Sequence, residues 1–298
     1  MKQDYHDLLK PEIVNSVSGL ALIARVIVEG YLSGMNRSTK VGTGMEFSQY
    51  RGYEPGDDLR LLDWKMLARS GRYYIKQSEI ETNISIKFIL DASASMEHRE
   101  DRLSKMDYAR VLVASLAYLG QTQGDAIGLF AVNQNEVYSL YPKVQKQHYN
   151  RLLYELIHIK NKGKWPVNPA SFEKLHDRRH KELIFFITDM YEYEQELSRV
   201  VASLKNSRNE VVVLHIMGEK ESRFTYEGAV TFEEIETGRK VKVDAKEAKT
   251  TYLKALDNRI AGIKAGFLAK NISHELFLMN GPIAETLNLF LKKRIALL

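Results

Sequence analysis

The sequence predicts an α/β protein built on a doubly wound, mostly parallel sheet, and three observations carry that prediction. From residue 83 to the C-terminus, continuous apolar runs rich in Val, Ile and Phe alternate with amphipathic segments. This is how strands covered by helices on both faces read. Two of those runs end directly in an aspartate, Asp91 and Asp189, and such sheets collect ligands outside the carboxyl ends of their strands. Residues 1–82 lack the alternation, so the chain divides into an N-terminal extension, 1–82, and an α/β domain, 83–298.

Each element of the domain follows from its pattern. NISIKFIL, 83–90, is β-branched and apolar and reads as a buried strand. Residues 107–119 place Tyr108, Val111, Leu112, Ser115, Leu116 and Leu119 on one helical stripe, with Gly120 as the stop. AIGLFAV, 126–132, and 137–141 are two strands joined by Asn133-Gln-Asn135. A helix follows over 145–159, then the strand LIFFIT, 183–188, a helix over 194–204 and the strand VVVLHIM, 211–217. A polar hairpin fits 229–243, turning near Thr237-Gly238. Leu253, Leu256, Ile260, Ile263 and Phe267 recur at helical spacing within 245–269. A short strand, 275–279, precedes a closing helix, 283–297, begun by Pro282. In the extension, 11–32 reads as an amphipathic helix and 34–81 as turn-rich, with short extended pieces such as 72–76.

Composition narrows the function classes. The chain has 298 residues, 44% hydrophobic and 27% charged, which suits a packed globular protein. With no cysteine, disulfides and thiolate metal sites are excluded. The N-terminus has no signal pattern and no stretch is apolar enough to span a bilayer, so a cytoplasmic location is expected. The net charge of +5 is concentrated in residues 143–181, where ten Lys/Arg face three acidic residues. Such a field favours an acidic partner, or it is a solvated face.

The loop Asp91-Ala-Ser-Ala-Ser95 sets a carboxylate and two hydroxyls at alternate positions just past a strand. If the loop curls, Asp91, Ser93 and Ser95 face one point, and Asp189 adds a second carboxylate. Hard oxygen donors of that kind suit Mg²⁺. An alternative is that Ser93 and Ser95 cap the helix that follows.

DASAS after a buried strand resembles the DxSxS opening of the metal-ion-dependent adhesion site of von Willebrand factor type A domains, and Thr188-Asp189 resembles that family's later strand-end aspartate. The resemblance implies a von Willebrand factor A-like, Rossmann-type domain, with Asp91, Ser93, Ser95 and Asp189 as direct or water-mediated metal ligands. The run from Gly42 to Glu81, which includes Arg51, Tyr53, Pro55-Gly56-Asp57-Asp58, Asp63-Trp64 and Ala68-Arg69, is similar to the hallmark segment of a bacterial family of unassigned function. Members of that family pair this segment with a type A core. They are often encoded beside MoxR-type AAA+ ATPases, and the resemblance implies such an ATPase as partner.

One feature departs from the type A pattern. Trp165 stands where the resemblance would place a ligating threonine, and Asn168 or Ser171 is the substitute the loop offers. Lys164, Trp165, Asn168 and Ser171 are therefore expected to face a partner at the site end of the sheet.

The expected function is a non-enzymatic interaction module or adaptor. One alternative is Mg²⁺-dependent phosphoryl transfer with Asp91 as nucleophile. That chemistry resembles haloacid-dehalogenase phosphatases, which need a second aspartate where this chain has Ser93. The other is a nucleic-acid binder using residues 143–181. Around Arg51, Arg60 and Arg69, six basic residues within 46–81 face seven acidic ones, a balance that disfavours nucleic acid there.

Overall fold

The buried strands pair as their apolar runs predict. A computed structural model describes residues 8–38, 49–53, 64–77, 84–166, 181–192, 195–235 and 237–295. Contacts group the chain into two units, Met1–Leu32 with Ile84–Leu298, and Ser33–Asn83. The first 32 residues, expected within an N-terminal extension, group with the α/β unit instead. The reason is burial: Leu20, Ile23, Ala24, Ile27 and Val28 are almost wholly enclosed, and a helix with so wide an apolar face must pack. That helix is also two pieces, α1 (Pro11–Val14) and α2 (Val17–Ser38). The break falls at Asn15-Ser16, where Ser16 Oγ accepts from Gly19 N at 3.1 Å.

In the smaller unit, β1 (Gln49–Gly52) pairs antiparallel with β2 (Tyr74–Gln77), from Gln49↔Gln77 to Gly52↔Tyr74. Between them lies α3 (Trp64–Ser70). The turn-rich reading of this region missed both α3 and β1, because each is too short to establish a period.

The larger unit contains β3 (Ser85–Asp91), a small ribbon of β4 (Arg99–Glu100) and β5 (Leu103–Ser104), α4 (Lys105–Thr122), β6 (Ala126–Val132), β7 (Val137–Lys143), α5 (Lys146–His158) and β8 (Glu182–Thr188). After these come α6 (Glu196–Leu204), β9 (Asn209–Met217), α7 (Glu219–Arg223), β10 (Ala229–Glu233), β11 (Lys240–Asp244), α8 (Ala245–Leu268), β12 (Ser273–Leu278) and α9 (Ile283–Ile295). Among the described residues the main sheet has six strands in the order β12-β9-β8-β3-β6-β7. All neighbours are parallel except β6 and β7. This is a doubly wound, mostly parallel α/β fold.

Both faces of the sheet are covered. On one, Ile89, Ile184, Phe186, Val211 and Val213 pack with Leu197, Val201 and Leu204 of α6 and Phe267 of α8. On the other, Phe88 stacks on Phe185 at 5.6 Å between ring centroids, and Phe185 meets Phe290 of α9 edge-on at 6.2 Å. Side chains of this size contribute roughly 1.5–3 kcal/mol each on burial. Gly120, expected to stop α4, lies inside it; a Cβ there would come within 2.6 Å of Ile86 Cδ1, so the glycine admits Ile86 between helix and sheet.

The chain winds from β3 outward through β6 and β7, then returns to β8 on the opposite side of β3 and continues to β9 and β12. The direction of winding therefore reverses between β3 and β8, the two strands that end in Asp91 and Thr188-Asp189. A sheet of this kind opens a crevice at that point.

Candidate functional site

The DASAS loop curls as its residue types dictate. Asp91 Oδ1 accepts from Ser93 N at 2.9 Å, an Asx-type turn that reverses the chain directly after β3. Ser93 Oγ and Ser95 Oγ then lie 3.0 Å apart, and Ser95 Oγ donates to Asp189 Oδ1 at 3.2 Å. Thr188 Oγ1 donates to Asp91 Oδ2 at 2.7 Å, closing the ring from the β8 side. The loop is braced by Ala94 N to Gly163 O at 2.8 Å and Lys162 N to Ala92 O at 2.9 Å. Asp91, Ser93, Ser95 and Asp189 thus converge on one rim and are all nearly buried. The serines do not cap α4: Ser104 does, in a reciprocal capping box with Asp107.

Two buried carboxylates side by side repel, and the rim resolves this with a lysine. Lys105 Nζ donates to Asp189 Oδ2 at 3.0 Å and to Glu221 Oε1 at 2.9 Å. Burial opposes the ammonium, but Asp189 and Glu221 outweigh it and raise the Lys105 pKa above its ordinary value. Burial likewise opposes the Asp189 carboxylate, yet Lys105 overcomes it and holds the pKa below the usual carboxylate range. Among the described residues Asp91 has no such cationic partner: burial, and then the charge on Asp189, push its carboxyl up to about 6.

The oxygens offer a test of fit for a divalent ion. Ligands at 2.0–2.1 Å from Mg²⁺ in octahedral array lie about 2.9 Å from their neighbours. The separations of 3.0 Å between the serine hydroxyls and 3.2 Å from Ser95 Oγ to Asp189 Oδ1 match that spacing. Among the described residues no group of three or more His, Asp or Glu side chains could hold a metal, so a cation here would rely on the serine hydroxyls. Hydroxyl and carboxylate oxygens are the donor type a hard divalent ion takes, while Lys105 adds a positive charge at Asp189 that the sequence pattern did not anticipate.

The partner-facing loop is corrected. Trp165 is 4% exposed and packs on Phe186 at 5.5 Å between ring centroids, within the core cluster on the α6 face. It is a core residue and not a contact aromatic, because its indole packs in the cluster with Ile89, Phe130, Val132 and Phe186 of the sheet. Lys164 is half-buried, its backbone N 3.4 Å from Gln134 Oε1. Asn168 and Ser171 lie outside the described residues, as does most of the Gly42–Glu81 run.

Two cavities meet at the rim instead. One, of about 500 Å³, is walled by Phe224, Tyr226, Phe232 and Tyr252 beneath the β10–β11 hairpin and reaches Ser95 and Asp189. The second, of about 300 Å³, runs under α8 along Leu256, Ile260 and Ile263. Lys105, Asp189, Tyr191, Glu221 and Tyr252 line both. The apolar stripe of α8 is only half-buried over Leu253, Leu256, Ile260 and Ile263, and the last three of these form a wall of the second cavity.

Lys105, Glu221 and the cavity aromatics were not singled out from sequence, and Thr188 was noted only as the neighbour of Asp189. One signal was available for Lys105. Ser104-Lys-Met-Asp107 is a capping-box pattern, so Lys105 takes the first helical position, where the helix dipole disfavours a cation unless an anion faces it. Glu221 and the aromatics carry no comparable mark, since they meet the rim only through the fold.

The sequence profile of the family described as "Protein of unknown function DUF58" matches residues 49–259. Uncharacterized proteins of Mycobacterium bovis and Mycobacterium tuberculosis are 25% identical over 147 residues, covering 49% of this chain and 46% of theirs. The chain thus spans about half the length of these relatives. Among solved structures, the conserved hypothetical protein BatB from Bacteroides thetaiotaomicron is similar at a TM-score of 0.46 and 13% identity, covering 72% of this chain and 100% of that one. An aerotolerance-related membrane protein from Bacteroides fragilis gives 0.46 and 15%, with the same coverage. A von Willebrand factor type A protein from Catenulispora acidiphila gives 0.38 and 12%, covering 70% of this chain and 42% of that one. No helix among the described residues is long and apolar enough to cross a membrane.

Proposed function

The chain belongs to the DUF58 family of proteins of unknown function, and from that premise we propose that it is a non-enzymatic interaction module that docks a partner segment at the β3–β8 rim. The observation that carries the reading is the meeting of the two cavities at Lys105, Asp189 and Glu221. Apolar and aromatic walls converging on a few fixed polar groups are what a docked side chain requires. The segment that fits has a large apolar or aromatic residue for the hairpin cavity and an acidic residue for the rim.

Asp91, Ser93, Ser95 and Asp189 would hold a divalent ion such as Mg²⁺, which supplies a positive centre for the partner's carboxylate. The likeness of residues 42–81 to the hallmark segment supports a MoxR-type AAA+ ATPase as the partner class. Against a phosphoryl-transfer reading stand the 1% exposure of Asp91 and its absence from the described walls of both cavities. A nucleophile must reach its substrate.

The test is affinity capture from the native host, with Mg²⁺ and with EDTA, read by mass spectrometry. Ser95→Ala and Phe232→Ala are expected to lose the partner, an AAA+ ATPase, while keeping the wild-type melting temperature within a few degrees. These variants serve better than Asp91→Ala, which would also strip the acceptor from Ser93 N and Thr188. Capture by both variants at wild-type levels would remove the rim as the docking surface.

A further inference from the structure

The rim has a cation of its own. Lys105 opens α4, and its side chain is 6% exposed. A buried ammonium persists only where anions and hydrogen bonds compensate it. Both compensating carboxylates are themselves fixed. Glu221 Oε2 accepts from Gly218 N at 2.8 Å, which anchors the side chain at the start of α7. Asp189 Oδ1 accepts from Tyr191 N at 3.1 Å and from Ser95 Oγ at 3.2 Å. The lysine therefore sits on the outer oxygen of the carboxylate whose inner oxygen faces the serines. A charge at that place does two things. It stabilises Asp189 as an anion, and so the serine arrangement around it, when no metal is present. It also opposes any divalent ion approaching the same carboxylate, since like charges a few ångströms apart in a buried site repel strongly.

We propose that Lys105 is the residue that sets the divalent-ion affinity of this rim: a resident ammonium that keeps Asp189 and the serines around it in place and holds that affinity low. The inference rests on the proposed function only for where an ion would sit. A partner's carboxylate would then complete the set, so that ion and partner bind more tightly together than either does alone.

The test uses the full chain and Mn²⁺ alone, with affinity read by isothermal titration calorimetry and stability by thermal melting. The wild type should bind Mn²⁺ weakly and melt at the same temperature in EDTA and in Mn²⁺. Lys105→Met should bind at least roughly tenfold more tightly, because one opposing charge is gone. It should also melt several degrees lower in EDTA and recover in Mn²⁺. Lys105→Gln keeps a donor for Asp189 and serves if the methionine variant does not fold; it should show the same tightening. Lys105→Arg keeps the charge and should remain a weak binder. Wild-type affinity equal to that of the neutral variants overturns the proposal, as does tightening by Lys105→Arg, or no Mn²⁺ binding by any of the chains. Partner capture, which tests the docking surface, is a separate readout and can fail or succeed independently.

Discussion

Thr188 Oγ1 donates a 2.7 Å hydrogen bond to Asp91 Oδ2 and accepts from Met190 N at 2.9 Å, so one hydroxyl links the ends of β3 and β8 and starts the loop beyond. Both residues are almost fully buried. Thr188→Val keeps the shape and removes the donor, leaving a buried carboxylate oxygen short of a partner. The expected cost is about 1–3 kcal/mol, read as a lower urea midpoint at unchanged slope. Thr188→Ser should recover most of it. A Thr188→Val midpoint equal to wild type would mean that the bond contributes nothing.

At the opposite end of β3, Lys87 Nζ lies 2.6 Å from Glu182 Oε1 on β8, with both side chains under 4% exposed. Lys87→Met should cost about 3–5 kcal/mol, because it leaves Glu182 charged and enclosed. The double replacement Lys87→Met with Glu182→Leu should restore most of that loss, since an apolar pair needs no compensation. Equilibrium denaturation of the three chains decides this. Additive losses would show that the two residues do not act as a pair.

His215 on β9 and His274 on β12 face each other, with His215 Nδ1 3.2 Å from His274 Nε2. Burial first, and then mutual repulsion, lower His215 from 6.5 to about 3. Burial first, and then Lys264, lower His274 to about 4. Asp189 pulls the other way on His215, while Lys105 and Arg259 add to the lowering. The unfolded chain therefore binds protons that the folded chain refuses between about pH 6.5 and pH 4. Stability contributed by the neutral pair is fully present above pH 6.5 and falls as the pH drops through that window. From pH 7 to pH 5 the loss should be about 2–3 kcal/mol, with the share of the partly exposed His274 reduced by solvent. Urea unfolding at the two pH values measures it. The double variant His215→Gln, His274→Gln should show a smaller drop, and an equal drop would assign the effect to other groups.

Trp165 in the core makes a prediction opposite to the one its sequence position suggests. Trp165→Ala should cost about 3–5 kcal/mol through the cavity left against Phe186. Trp165→Phe should cost about half as much and leave partner capture at the wild-type level. Loss of capture by a well-folded Trp165→Phe chain would return the indole to the interface.

The order of the α/β elements was legible in the sequence because burial on both faces writes itself as uninterrupted apolar runs. Asn83–Leu90, Leu183–Thr188 and Val211–Met217 all lie within a residue or two of observed strands. The pairing of Asp91 with Asp189 was legible too, because strand ends in a parallel sheet share one rim. The period of α8 was legible and its depth was not written there: a 3.6-residue stripe shows that one face is apolar, without showing how closely it docks. The short elements β1 and α3 escaped because four to seven residues cannot display a period.

By itself, then, the sequence determined the fold class, the rim, and the four residues that converge there, since these depend on local pattern and on topology. The tertiary structure alone decided that Lys105 and Glu221 join the rim across 116 residues of chain, that Trp165 turns inward, and that Phe224, Tyr226, Phe232 and Tyr252 from three different segments wall the cavity that reaches Asp189. The physical reason is that ion pairing and packing between distant segments are set by how helices and hairpins seat on the sheet. No spacing along the chain encodes that seating.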